Sequence, residues 1–238
     1  MYILAIDSAT PVAGVALIRD EQLIAEKFAN IGLTHSETLM PMVDRVLKDA
    51  SLQAKDVDAF AVTIGPGSFT GLRIGLAAAK GLALAVDKPL IGISTLEVLA
   101  HNLSYSSLLM GTVLDARKGE IYGACFDVSQ AYPRRLGEEM ACSPGIFCQH
   151  ADRLLQETGR TGLVLLGDGF ITYRQQFVDY WGPKLQIAPL HQQLPRAASL
   201  ASLARLRALQ KDYSDRLLLR PTYIRLSEAQ NRLGVGDL

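Results

Sequence analysis

The sequence predicts an α/β protein with mixed sheets, built as two related halves. Strand-like apolar runs alternate with helical spacings along the chain, the pattern of an α/β fold. Two hairpin-like segments, each with an apolar run ending in Asp, recur about half the chain apart, which points to paired domains rather than a short-period array. Apolar residues make up 49% of the 238 residues, ample for two modest cores and too many for a disordered chain.

The first hairpin joins Ile3-Leu4-Ala5-Ile6-Asp7 through Ser8-Ala9-Thr10 to Gly14-Val15-Ala16-Leu17-Ile18. The second joins Thr112-Val113-Leu114-Asp115 through Ala116-Arg117-Lys118-Gly119 to Ile121-Tyr122-Gly123-Ala124-Cys125-Phe126. A polar turn between two apolar runs is a hairpin signal. Residues 21–28 supply a third strand. Leu39, Val43, Val46 and Leu47 then fall at i, i+4, i+7 and i+8, one face of a helix that Thr34 or Ser36 caps, with Pro41 tolerated near its start. The β-branched run 59–64 stops at Gly65-Pro66-Gly67 and reads as a buried strand; a helix over 71–85 and a strand over 88–93 follow.

The second half repeats this order less clearly. After its hairpin come an irregular stretch over 132–147, a helix around 151–155 and a strand over 162–166 ended by Gly167-Asp168-Gly169. A helix over 197–209 and a loose tail containing Gly234 and Gly236 complete the chain. The expected domains are 1–106 and a second, smaller one over 107–238 whose C-terminal helix packs back on the first.

Charge and cysteine usage exclude several classes. Lys plus Arg equals Asp plus Glu, 24 of each, so no basic excess exists to hold a nucleic-acid backbone by charge. Cys125, Cys142 and Cys148 are odd in number and lack CxxC spacing, which suits a reducing cytosol rather than a disulfide framework or zinc knuckle. The N-terminus has no basic start or long apolar run of a signal peptide, and no apolar stretch reaches the roughly 18–20 residues of a membrane span. A cytoplasmic protein is expected. His35, His101, His150 and His191 show no metal spacing and read as ordinary polar surface groups.

The most distinctive string is Gly65-Pro66-Gly67-Ser68-Phe69-Thr70-Gly71-Leu72-Arg73-Ile74-Gly75. It is a strand end, a glycine-rich turn and a helix N-terminus, where free N–H groups and the helix dipole can hold an anion. A purely structural turn is the favoured reading of the string taken by itself. No Gly-Lys-Ser/Thr follows, so it is not a Walker loop, and Phe69-Thr70 breaks the Gly-x-Ser-x-Gly pattern that would make Ser68 a nucleophile.

Together with Asp7-Ser8-Ala9-Thr10, His35-Ser36-Glu37, Asp115-Ala116-Arg117-Lys118-Gly119-Glu120-Ile121-Tyr122 and Arg220-Pro221-Thr222-Tyr223-Ile224-Arg225, this string resembles the TsaB (YeaZ) family from residue 2 to about 228. The resemblance implies a duplicated actin-like (ASKHA, ribonuclease H-like) two-domain fold. It also implies a non-catalytic scaffold or dimerisation subunit in the synthesis of threonylcarbamoyladenosine (t6A) on tRNA. In that family the partner is TsaD, the catalytic paralogue that modifies adenosine 37. The ATPase TsaE joins the pair, tRNA is contacted only indirectly, and pairing of two copies is an alternative.

By the same resemblance this chain lacks catalytic equipment. Thr95 and Leu99 stand where the paralogue carries a His-x-x-x-His metal pair, and neither replaces an imidazole. Gly167-Asp168-Gly169 replaces two adjacent glycines of the adenosine-binding turn, and Ser8-Ala9-Thr10 replaces a phosphate-loop glycine. No cofactor or metal is therefore expected. Asp7, Ser8, Gly65, Gly67, Asp115, Gly167 and Gly169 become vestigial loop positions, the two aspartates holding turn geometry. Family members pair through first-domain helices, and Leu39, Met42, Val43, Val46, Leu72, Leu76, Ala79 and Ala83 are the candidate interface residues. A small-molecule kinase of the sugar or acetate kinase type is the competing reading, and a peptidase a second; the altered loops and the missing Ser/His constellation argue against them.

Overall fold

The computed structural model describes residues 1–32 and 34–224. Arg225 of the C-terminal motif and the tail with Gly234 and Gly236 lie outside the described residues. Two five-stranded sheets repeat one topology. The first contains β1 (Tyr2–Asp7), β2 (Ala13–Arg19), β3 (Gln22–Ala29), β4 (Ala59–Gly65) and β5 (Leu90–Ser94), in the order β3-β2-β1-β4-β5. The second contains β6 (Leu109–Arg117), β7 (Glu120–Asp127), β8 (Arg134–Cys142), β9 (Leu163–Leu166) and β10 (Leu185–Ile187), in the matching order β8-β7-β6-β9-β10. In each, the first three strands pair antiparallel and the last two add in parallel. The expected α/β character with mixed sheets and two duplicated halves is what the chain forms.

The helices are α1 (His35–Asp49), α2 (Phe69–Ala85), α3 (Thr95–Ala100), α4 (Pro144–Thr158), α5 (Asp168–Thr172), α6 (Arg174–Trp181) and α7 (Ala197–Leu209). Strand alternation decides what each covers. Leu4 and Ile6 of β1 face a core with Val43 and Val46 of α1 and Leu76 and Ala79 of α2. Ile3 and Ala5 face the other way, onto Leu200, Ala201 and Ala204 of α7. α7 thus closes the far face of the first sheet. α3 bridges in the opposite sense, with Leu96, Leu99 and Ala100 buried against Met110, Leu114 and Phe126 of the second sheet.

Several expectations require correction. The stretch 132–147 is not irregular: it holds β8 and the start of α4. β8 is an edge strand dominated by Arg134, Arg135, Glu138 and Glu139, so it carries no apolar alternation to read. α4 begins at Pro144, where Ser143 accepts the Ile146 N–H. Thr34 occupies the N-cap of α1 without a side-chain capping bond; its hydroxyl instead donates to Glu37 at 2.5 Å. α5, α6 and β10 have no counterpart in the sequence reading. Nor does the segment after α7, which returns along the open edge of the first sheet. There the Ser214 N–H donates to the Leu90 carbonyl (2.8 Å) and the Thr222 N–H to the Ile64 carbonyl (2.7 Å).

Candidate functional site

The two hairpin loops meet across a cavity of about 320 Å³ between the sheets, lined among others by Thr10, His35, Ser68, Asp115, Arg117 and Asp168. Asp7 lies just behind it, fully buried. Its Oδ1 accepts the Ala9 N–H (3.2 Å) and the Thr63 hydroxyl (2.7 Å). Its Oδ2 has no hydrogen-bond partner among the described residues. Burial pushes the Asp7 carboxyl above the usual carboxylate range, against the lowering effect of these hydrogen bonds.

The glycine-rich turn is fitted to this chain's own first loop. A Cβ on Gly67 would stand 2.1 Å from the Ala9 carbonyl, and one on Gly71 would stand 2.2 Å from that of Ser8. Around this close approach the Ser8 hydroxyl donates to the Gly71 carbonyl (2.8 Å), and the Ser68 N–H donates to the Ala9 carbonyl (2.7 Å). The Ser68 hydroxyl accepts the Gly71 N–H at 3.2 Å, an ordinary N-cap. The turn's small residues and two of its N–H groups are therefore engaged by the protein itself. Gly65 serves the C-terminal segment: with φ at +116°, it leaves no room for a Cβ beside the Thr222 carbonyl.

The second loop is built alike but is more open. Asp115 Oδ1 accepts the Arg117 N–H at 2.8 Å, and Oδ2 pairs with the exposed Arg117 guanidinium at 3.4 Å. Both aspartates thus accept the N–H two residues ahead, which fixes the turn. Asp168 Oδ1 accepts the Asp115 N–H at 3.0 Å. Burial, and secondarily the Asp115 charge, push the Asp168 carboxyl up. Gly167, at φ +118°, would carry a Cβ 2.0 Å from the Val113 carbonyl, so the Gly-Asp-Gly turn is seated directly on the β6 backbone. Phosphate oxygens placed here would face the Asp115 and Asp168 carboxylates.

Thr95 and Leu99 are both fully buried, Leu99 within the core between α3 and the second sheet. Among the described residues no group of three or more His, Cys, Asp or Glu is arranged to hold a metal ion. The three cysteines are buried and free, and burial pushes the Cys125 and Cys148 thiols up to about 12. The surface reading of the histidines fails at His101, which stacks on Tyr132 and bonds Ser202 at 2.9 Å; burial lowers its pKa.

The proposed interface residues need the largest correction. Leu39, Val43, Val46, Leu72, Leu76, Ala79 and Ala83 are buried inside this chain, and Met42 is half-buried against the same core. They form the stripe that α1 and α2 turn toward their own sheet, where they are unavailable to another protein. The opposite stripe of α2 is Thr70, Arg73, Ala77, Gly81 and Leu84, all exposed, and Met40 of α1 is 46% exposed. Spacings of 3, 4 and 7 define both stripes, so periodicity located them but did not say which faced inward.

Comparison with known proteins fits this architecture. Residues 29–232 match the family model of TsaD, described as tRNA N6-adenosine threonylcarbamoyltransferase. The tRNA threonylcarbamoyladenosine biosynthesis protein TsaB of Bacillus subtilis is 34% identical over 97% of this chain and 96% of its own length. YeaZ from Pseudomonas aeruginosa superposes with a TM-score of 0.76 at 26% identity, covering 93% of this chain and all of that one. The Clostridium difficile activator of 2-hydroxyisocaproyl-CoA dehydratase, at 12% identity and a TM-score of 0.50, shares the fold alone. The duplicated sheets are thus those of the actin-like fold, and the chain belongs to the TsaB (YeaZ) family.

Proposed function

We propose that this chain is a non-catalytic subunit of the machinery that makes threonylcarbamoyladenosine on tRNA. It pairs with a TsaD-type transferase and, through that pair, supports TsaE. The names of its relatives support the pathway. One observation carries the scaffold role: the loops that would do chemistry are occupied by internal contacts, whereas α2 presents an exposed small-residue stripe. Ala77 and Gly81 allow another helix to approach closely, and Thr70, Arg73 and Leu84 flank them on the same face. The same face serves pairing of two copies. Catalysis is then assisted by stabilising one conformation of the partner, with no group donated to the reaction.

The test must spare the core. An Arg at Leu76 would enter the buried stripe and report on folding. Gly81→Arg is suited instead, because a Cβ there meets nothing within 4 Å. The variant should keep its melting temperature, fail to co-purify with the TsaD-type subunit and fail to support t6A formation. Undiminished pairing would move the interface off α2. Turnover of MgATP by the purified chain alone would favour the kinase reading.

A further inference from the structure

A second cavity, of about 400 Å³, opens at the carboxyl ends of β4 and β5, beside Gly65 and Ser94. We propose that it is a binding site for a small zwitterion of the free α-amino-acid class. The crevice outside the carboxyl ends of parallel strands is where α/β sheets take ligands, and here the walls are charged in balance. Glu97 of α3 and Arg207 of α7 approach from one side, Arg135 and Glu139 of β8 from the other. Two cations and two carboxylates, from three elements distant in sequence, line one space.

Each pair is joined at a single point. Arg207 Nη2 meets Glu97 Oε2 at 2.9 Å, while Nη1 donates to the Gly92 carbonyl at 3.1 Å. Arg135 Nη1 meets Glu139 Oε1 at 3.2 Å, an oxygen that also accepts the Ser94 hydroxyl at 2.5 Å. Glu97 Oε1 and Glu139 Oε2 carry no hydrogen bond among the described residues. A guanidinium has five N–H donors, so each arginine keeps donors beyond those used. Burial pushes the Glu97 carboxyl up, against the lowering effect of the Arg207 and Arg135 charges.

These groups select by charge arrangement. A phosphate would satisfy the arginines but face two carboxylates. A simple amine would satisfy the carboxylates and leave the guanidinium donors unused. An α-carboxylate with an adjacent ammonium meets both signs within one small molecule. Ile64, Phe126 and Pro133 supply the apolar part of the wall, which suits a compact side chain.

Calorimetric titration of the full chain with L-alanine, L-valine and L-threonine tests the proposal. At least one should bind saturably, with Kd on the order of 1 mM for a ligand of so few atoms. The N-acetyl and methyl-ester forms of that amino acid, each missing one charge, should bind about tenfold more weakly. Arg135 is half-exposed on an edge strand, so Arg135→Gln should keep the melting temperature and weaken binding by a similar factor. Absence of saturable binding by all three amino acids up to about 50 mM would overturn the proposal. So would blocked forms that bind as well as the free ones, or a folded Arg135→Gln protein with unchanged affinity. This site is separate from the α2 stripe, and its failure leaves the pairing reading untouched.

Discussion

The helical connection between the two parallel strands differs in length and in surface between the two halves of the molecule. Between β4 and β5 it is α2, seventeen residues long, whose solvent side carries Phe69, Thr70, Arg73, Ala77, Gly81, Leu84 and Ala85. Between β9 and β10 the same position is filled by the short α5 and α6, whose solvent side carries Ile171, Arg174, Gln175, Gln176, Asp179 and Tyr180. The inward sides are alike: Leu72, Leu76 and Ala79 in one half, Phe177 and Trp181 in the other, all buried. Duplication has kept the topology and the core requirement and has let the outer faces diverge. Exposed Ala and Gly occur on α2 and not on α5 or α6, and small residues on one flank alone are what close approach of a single partner helix requires.

What the halves still share gives the largest expected effect. Gly67 and Gly167 each bring a turn so close to a neighbouring backbone carbonyl that a Cβ would lie 2.1 and 2.0 Å from its oxygen. Backbone at both places cannot yield as a flexible side chain can. Gly67→Ala and Gly167→Ala should each destabilise by roughly 3–5 kcal/mol, seen as a fall in the denaturation midpoint or loss of soluble protein. A mild effect at either position would mean that its loop is free to move away from the turn.

The pairing comparison comes next in size. Gly81→Arg on α2 should weaken association with the TsaD-type subunit more than tenfold, and Gln176→Arg on α6 should leave it unchanged, both read by calorimetry. Gly81→Ala sharpens the point. Ala in an exposed helix interior adds up to about 1 kcal/mol of stability relative to Gly, yet the added methyl separates closely packed helices. The expected result is a higher melting temperature with weaker pairing, a combination that an effect on folding would not produce.

The first half was more legible in the sequence than the second, for physical reasons. β1, β2 and β4 are buried on both faces, so their apolar runs stand out between Asp7, Gly65 and the turns. β8 is a charged edge strand, β10 has three residues, and α5 has five; none is long or apolar enough to impose a period. At the site, the aspartates and glycines could be found by their turn chemistry. The identity of what they touch could not, because the contacts of Gly67 with Ala9 and Gly65 with Thr222 join residues far apart in sequence. The inward face of α2 was misjudged because its outer stripe, apart from Arg73, is also built of apolar or small residues, and only the sheet decides between them.

The two aspartates give the smallest and most discriminating contrast. Asp7 is fully buried with one oxygen unpartnered among the described residues, and burial raises its pKa above the usual carboxylate range. A carboxyl whose native pKa is raised holds its proton more tightly in the folded than in the unfolded chain. It therefore costs stability as pH rises from the unfolded carboxylate range through the native value, and the cost is constant above that. Asn at this position keeps an oxygen for the Ala9 N–H and the Thr63 hydroxyl and removes the charge. Asp7→Asn should raise the melting temperature by about 2–4 °C at pH 7, the shift that about 1 kcal/mol gives a chain of this size. The gain should shrink as pH is lowered through the raised native value, below which the wild-type carboxyl is itself neutral. Asp115→Asn loses an ion pair to the exposed Arg117 and keeps its turn bond, so its effect should stay within about 0.5 kcal/mol. Both variants should support t6A formation at the wild-type rate in a reconstituted assay, because both carboxylates hold loops. Loss of modification by a stable Asp7→Asn protein would return that carboxylate to the chemistry and undo the division between a structural cleft and a docking flank.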